Sequence, residues 1–315
     1  MRECLSATPE MLDYARGVAG EGSVVERARR LYKALLDYGL NIGYCEDLSL
    51  ARRPDGSKTA AQVFYEQDVQ GKRFAICLEY TLLFLALAPA CGLEAVAMRK
   101  LESIGEGRGF VFGHIALAVR DGDPLRLIDL AARRFWRDPV GFEEISQDRL
   151  VGYYHNNSGI IFSLQGRGQE AEAAFSRAVA CDPATATFWY NRGSLLLRGG
   201  QAQSASQDLR QAAGLDPASV QVLTNLAVAE SALGQVGEAR RCLYLARTLA
   251  PDDARVAFNL GVLAYEEKDR TAAEEHWRQT LAIDPVHHQA RRWLADLLRC
   301  SGRQEEGLRI LGGLG

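Results

Sequence analysis

Between residues 24 and 38 (VVERARRLYKALLDY) apolar side chains recur at Val25, Ala28, Leu31 and Leu35, the spacing of one helix face. Asn41 to Cys45 reads as extended and Thr59 to Phe64 as a short helix. From Cys77 to Cys91 (CLEYTLLFLALAPAC) the chain is apolar on nearly every side after Glu79, as in a central helix buried all round. Gly92 is placed to cap it. Leu93 to Arg99 alternates weakly, as a strand does. After a loop containing Gly105, Gly107 and Gly109, Phe110–Arg120 and Leu125–Leu130 form two strands. They are joined by Asp121-Gly122-Asp123-Pro124, which is turn chemistry. If Arg120 opposes Leu125 across that turn, Ala116 faces Asp129, and His114 is its diagonal neighbour on the same sheet face.

The second half carries a longer period. Prolines fall at 183, 217, 251 and 285, always 34 apart, and Asp182, Asp216 and Asp284 precede three of them. Small residues recur at Gly159, Gly193, Ala227 and Gly261, and again at Ala171, Ala205, Ala239 and Ala273. Large apolar residues recur at Phe175, Leu209, Leu243 and Trp277, and a further small position at Ala178, Ala212 and Ala246. This is a helix-turn-helix repeat in which small residues let two helices approach and proline ends the second. The pattern resembles tetratricopeptide (TPR) repeats over Gly152 to Leu311, with four full copies and a worn fifth. Glu230, where a large apolar residue is usual, and Thr280, where a small alanine is usual, depart from it. One repeat cannot bury its own apolar face, so an all-α solenoid is expected.

Asn157, Asn191, Asn225 and Asn259 also stand 34 apart. The resemblance implies that the first helix of each repeat lines the concave face. There, a ladder of carboxamides offers a donor and an acceptor per repeat to an extended peptide. The other reading is a consensus asparagine that bonds locally. The resemblance makes a protein or extended peptide the expected partner.

Cys77, His114 and Asp129 form the chemical constellation of the first half. A cysteine opening a helix sits at its positive pole, which favours the thiolate. A carboxylate beside an imidazole is the orienting pair that a cysteine nucleophile needs. The order Cys, His, Asp on helix, strand and strand resembles the transglutaminase-like superfamily, over residues 22–135. Cys-Leu-Glu-Tyr-Thr-Leu-Leu-Phe, Cys-Gly-Leu-Glu-Ala, Gly-His-Ile-Ala-Leu-Ala-Val and Leu-Ile-Asp-Leu carry the likeness. Ile115 stands where that family often has Trp, and Ala75 where it often has Gly. The Cys77 N–H is one oxyanion donor, and Gln70, seven residues upstream, the candidate second.

The composition limits the alternatives. The chain has 315 residues, a net charge of −3 and a pI near 6.0, so no basic field for nucleic acid is present. The first 17 residues lack the apolar core of a secretory signal. The longest apolar run is broken by Pro89 and Gly92, too short to span a bilayer. Seven cysteines, widely spaced and without CxxC, suggest neither a disulfide framework nor zinc, and fit a reducing cytoplasm. The other six (Cys4, Cys45, Cys91, Cys181, Cys242 and Cys300) read as packing residues. The adjacent pair His287–His288 does not make a metal site. No cofactor is expected. Arg133, Arg134, Trp136 and Arg137 form a basic-aromatic cluster; one reading is contact with an anionic substrate, and the favoured one is that it docks the linker against the first repeat.

The expected architecture is an α+β transglutaminase-like (papain-like) domain (1–137), a linker (138–151) and a TPR solenoid (152–315). Bacterial relatives of the first fold are commonly hydrolases. The resemblance therefore implies a thiol peptidase or amidase acting on a polypeptide recruited by the repeats. A non-catalytic TPR adaptor and an acyltransferase using the same triad are the alternatives.

Overall fold

The computed structural model describes residues 5–38, 42–44, 62, 73–75, 77–100, 106–107, 110–111, 114–122, 125–130 and 132–312. Gln70, Cys4, Cys45 and nearly all of the 59–64 segment lie outside them. The chain divides into two compact units, Met1–Asn191 and Arg192–Gly315.

The first unit opens with helix α1 (Pro9–Ala19), capped by the Thr8 hydroxyl and carrying Pro9 in its first turn, where a missing N–H costs nothing. Helix α2 (Val24–Lys33) starts on a reciprocal cap. The Glu26 N–H donates to Ser23 Oγ at 3.4 Å, and the Ser23 N–H to Glu26 Oε2 at 2.9 Å. Strand β1 (Ile42–Tyr44) pairs in parallel with β2 (Arg73–Ala75). Helix α3 (Cys77–Leu87) follows. Its Tyr80, Leu83, Phe84 and Leu87 pack with α1 and α2, while Leu78 and Leu82 enter a second core. Burial on both sides accounts for the absence of a polar stripe in its sequence. Gly92 ends the following turn in the left-handed conformation, φ 63°.

A five-stranded antiparallel sheet completes the α/β part. Its strands are β3 (Ala95–Lys100), β6 (Ile115–Val119), β7 (Arg126–Asp129), β8 (Arg134–Arg137) and β9 (Phe142–Ile145), in the order β8-β7-β6-β3-β9. A separate short pair, β4 (Glu106–Gly107) with β5 (Phe110–Val111), precedes β6. The strand expected over 110–120 is thus interrupted, and His114 stands at the entrance to β6. The β6–β7 register pairs Leu117 with Ile128, Ala118 with Leu127 and Val119 with Arg126, the alignment set by the Asp121-Gly122 turn.

Two expectations need correction here. The supposed linker, 138–151, holds strand β9, which pairs with β3, and the opening of the next helix. The aromatic side of the basic-aromatic cluster packs on α2, where the linker and first repeat were expected. The Phe135 ring lies 5.1 Å from Tyr32 and beneath the Arg29 guanidinium at 5.4 Å, with Trp136 stacked on it at 5.5 Å.

Helices α4 (Gln147–Leu164) and α5 (Gly168–Cys181) form the first repeat pair. They share a core with the α/β part: Leu150, Tyr153, Ile161 and Ala178 pack with Leu78, Leu82, Ala97 and Ile115. The first repeat therefore belongs to the same compact unit as the sheet. Asp182, before Pro183, ties the turn that follows: its carboxylate accepts from the Ala184 N–H at 3.0 Å and from the Thr185 hydroxyl at 2.8 Å.

Helix α6 (Ala186–Arg198) contains the boundary between the units. The second unit continues through α7 (Ala202–Leu215), α8 (Val220–Ala232), α9 (Val236–Leu249), α10 (Ala254–Glu266), α11 (Arg270–Ile283), α12 (His288–Cys300) and α13 (Gln304–Gly312). Small residues face large ones where helices cross: a Cβ on Gly193 would come within 2.9 Å of Leu209, and one on Gly261 would overlap the Trp277 indole. The turn inside each pair holds one left-handed residue, at Gly166, Gly200, Gly234, Lys268 and Gly302, again 34 apart. His287 caps α12, its Nδ1 accepting from the Ala290 N–H at 3.1 Å. Cys300, expected as a packing residue, is exposed.

Candidate functional site

Three elements of the first unit converge on one imidazole. His114, at the entrance to β6, places Nε2 2.7 Å from Asp129 Oδ2 at the end of β7. Both side chains are largely buried, 15% and 4% exposed. The other Asp129 oxygen accepts from the Ala132 N–H at 2.9 Å, fixing the carboxylate. The Cys77 thiol, at the first residue of α3, lies beside the ring and contributes to raising it. With Nε2 facing the carboxylate, Nδ1 is the nitrogen left for sulfur. Cys77 is partly exposed, whereas Cys91 is buried and its thiol is pushed up to about 11 by that burial.

Backbone contacts hold this arrangement. The Lys100 N–H donates to the His114 carbonyl at 3.0 Å, so β3 pins the residue before β6 begins. The Thr81 hydroxyl lies 3.0 Å from the Cys77 carbonyl and 3.5 Å from that of Ile115, joining the helix start to the strand. Phe142 of β9 meets the imidazole edge-on at 6.1 Å.

The electrostatics follow. Burial pushes the His114 ring down, but the Asp129 hydrogen bond, the neighbouring Cys77 thiol and the charges of those two groups outweigh it and raise the ring to about 10. At neutral pH the imidazole is held as imidazolium between a carboxylate and a sulfur. Such a ring stabilises a sulfur anion and carries a proton available to a leaving group.

Sequence reasoning passed over two neighbours. Glu79, two residues after Cys77, is wholly buried, and a lone carboxylate at the start of an apolar helix was its only signal. Arg99, opposed to Ile115 and to Glu143 in the sheet, donates from Nε to Glu143 Oε1 at 2.8 Å and lies beside the Tyr153 hydroxyl of α4. Among the described residues no group of three His, Cys, Asp or Glu side chains is placed to hold a metal.

The asparagine column is not uniform. In the first unit Asn191 is 0% exposed and donates to Asn156 Oδ1 at 2.8 Å, and Asn156 donates to Asn157 Oδ1 at 3.4 Å. In the second unit Asn225 donates to Ser194 Oγ and Asn259 to the Arg255 carbonyl, each at 2.9 Å, and both stay half-buried. A cleft of about 170 Å³ beside Asn259 is lined by Val228, Ser231, Val262 and Glu266. Glu230 is 1% exposed; its Oε1 accepts from Ser206 at 2.6 Å and from Arg210 at 2.9 Å, while its Oε2 is buried without a partner. Burial pushes this carboxyl up, but the Arg210 and Ser206 bonds prevail and hold it below the usual range.

Residues 159–220 match the tetratricopeptide repeat family model. No curated protein matches the chain. Among solved structures, the MamA protein is similar at 18% identity, covering 53% of this chain and 90% of its own, with a TM-score of 0.45. A thermophilic TPR protein in Thermus thermophilus is similar at 22% identity, covering 51% and 89%, with a TM-score of 0.47. YrrB, described as a TPR protein with an unusual peptide-binding site, is similar at 19% identity, covering 51% and 83%, with a TM-score of 0.41. The C-terminal region is a helical array carrying TPR repeats, a protein-interaction module. No helix among the described residues is long and apolar enough to cross a membrane.

Proposed function

We propose that the repeats hold a polypeptide and that Cys77, His114 and Asp129 act on it as a transglutaminase-like thiol hydrolase. The observation that supports this most is the His114 ring hydrogen-bonded to Asp129 Oδ2 at 2.7 Å, with the helix start at Cys77 tied to the adjacent Ile115 through the Thr81 hydroxyl. Sγ attacks an amide carbonyl carbon. The C–S bond forms, the C–N bond breaks, and the His114 proton goes to the leaving amine. Water then adds to the thioester with its proton passing to His114, and departure of the acid restores the Cys77–His114 pair. Asp129 fixes the ring's orientation throughout. Asn225 and Asn259, both half-buried, are the asparagines best placed to meet a bound peptide; Asn191 packs inside.

A second reading has its own support: the family match falls on the repeats alone, which suits an adaptor whose first domain is silent. Iodoacetamide labelling at pH 7, read by mass spectrometry in the wild type and in His114→Ala, separates the two. Cys77 is expected to label at least ten times faster than buried Cys91 and to lose that advantage in the variant. Equal rates at Cys77 and Cys91, indifferent to His114, reject the hydrolase and leave the adaptor.

A further inference from the structure

We infer that Tyr153, a residue of the first repeat, is a positioning residue for the Cys77–His114 pair. This rests on the hydrolase reading only for its catalytic meaning, since the structural claim concerns the imidazole itself.

Tyr153 stands on α4, is 3% exposed, and meets Phe188 edge-on at 5.0 Å. Its hydroxyl lies against the Arg99 guanidinium, whose Nε donates to Glu143 Oε1 at 2.8 Å. Arg99 is the β3 residue opposed to Ile115, and the next N–H along β3, that of Lys100, is the one donating to the His114 carbonyl. The route from the repeat to the imidazole is therefore short: hydroxyl, guanidinium, one strand, one backbone hydrogen bond. The Tyr153 ring also shares a core with Leu78 and Ile115, the residues directly after Cys77 and His114. One side chain of the repeat thus bears on both members of the pair. Arg149, on the same helix, adds a second tie: it bonds Asp182 at 2.5 Å and lies 3.7 Å from Glu143. A side chain that only filled space would need the ring and not the hydroxyl.

The test is Tyr153→Phe in the full chain, which keeps the ring and removes the hydroxyl. The His114 ring, which faces Asp129 and Cys77, is titrated by ¹⁵N NMR, and Cys77 alkylation is followed at pH 7. The midpoint of the ring is expected to fall by half a unit, which is about threefold in its protonation ratio; the ring stays charged at pH 7 in both proteins, so alkylation there slows by less than that factor. Tyr190→Phe, equally buried on α6, should change neither. A Tyr153→Phe ring titration superimposed on the wild type overturns the inference. Should Cys77 prove inert in the wild type, the hydrolase reading fails by itself, and the NMR shift still decides the positioning role. Arg99→Gln, which cuts the same route at its middle, is expected to reproduce the shift and stands in if Tyr153→Phe does not fold.

Discussion

Raising the pH from 7 to above 10 removes the charge from His114, and the structure gives the size of the effect. A histidine's ordinary value is 6.5, and here the ring is raised to about 10. Because the folded value lies above the unfolded one, the stabilisation is fully present below about 6.5 and is lost as the pH climbs through about 10. The gap, at about 1.4 kcal/mol for each tenfold, sets a ceiling of about 5 kcal/mol. The ring keeps 15% exposure, and solvent screening brings the expected value to about 2–3 kcal/mol. Tyrosines and lysines titrate in the same window, so the useful quantity is the difference between the wild type and His114→Gln, which keeps a donor for Asp129 but does not titrate. Pulse proteolysis in urea with subtilisin, quantifying peptides from residues 114–130 at pH 7, 8.5 and 10.5, reports on the first unit without assuming that the whole chain unfolds together. The wild type should be the more stable at pH 7, and most of its advantage should be gone at pH 10.5. A difference constant to within about 0.5 kcal/mol across that range would refute the charged imidazole.

Two further outcomes concern the second unit. Trp277→Ala removes a wholly buried indole and should cost about 3–5 kcal/mol in urea unfolding followed through Trp293, with Cys77 labelling unchanged; a cost below about 1 kcal/mol would mean the site collapses freely. Replacing the Glu230 network by Ser206→Ala with Glu230→Leu should be neutral or stabilising by up to about 2 kcal/mol, because it removes a desolvated carboxylate with one orphan oxygen. A loss of that size by thermal denaturation would show that the carboxylate makes a bond beyond Ser206 and Arg210.

The parts of the fold legible in the sequence are those where local chemistry and period agree. The β6–β7 register could be read because Asp121-Gly122 fixes the turn, and a sheet has a period of two, so one fixed pair fixes the rest. The repeats could be read because period, proline and small residues all recur together. Strands β8 and β9 could not: they are four residues each, carry Arg134, Arg137, Glu143 and Glu144, and lie at the two edges of the sheet. Edge strands lack the apolar alternation that reveals a strand with covered faces. The expected break before residue 152 had a related cause. Leu150, Val151 and Tyr153 follow the repeat's own helical spacing, and no local pattern says that they pack on Leu78 and Ile115. At the site, residue order suggested the Cys77–His114–Asp129 grouping, while the Tyr153–Arg99–Glu143 arrangement depends on contacts between β3 and elements far along the chain.

The repeat whose inner turn has Lys268 in place of glycine is also the one built on Trp277. A left-handed lysine costs about 1–2 kcal/mol relative to the glycine at the same place in the other turns. A buried tryptophan outweighs that by its greater packed area. Copies that share a period are therefore not interchangeable cassettes. A copy of this repeat with leucine in place of its tryptophan would keep the strained Lys268 turn and lose packed area, so the repeats are not equal in stability.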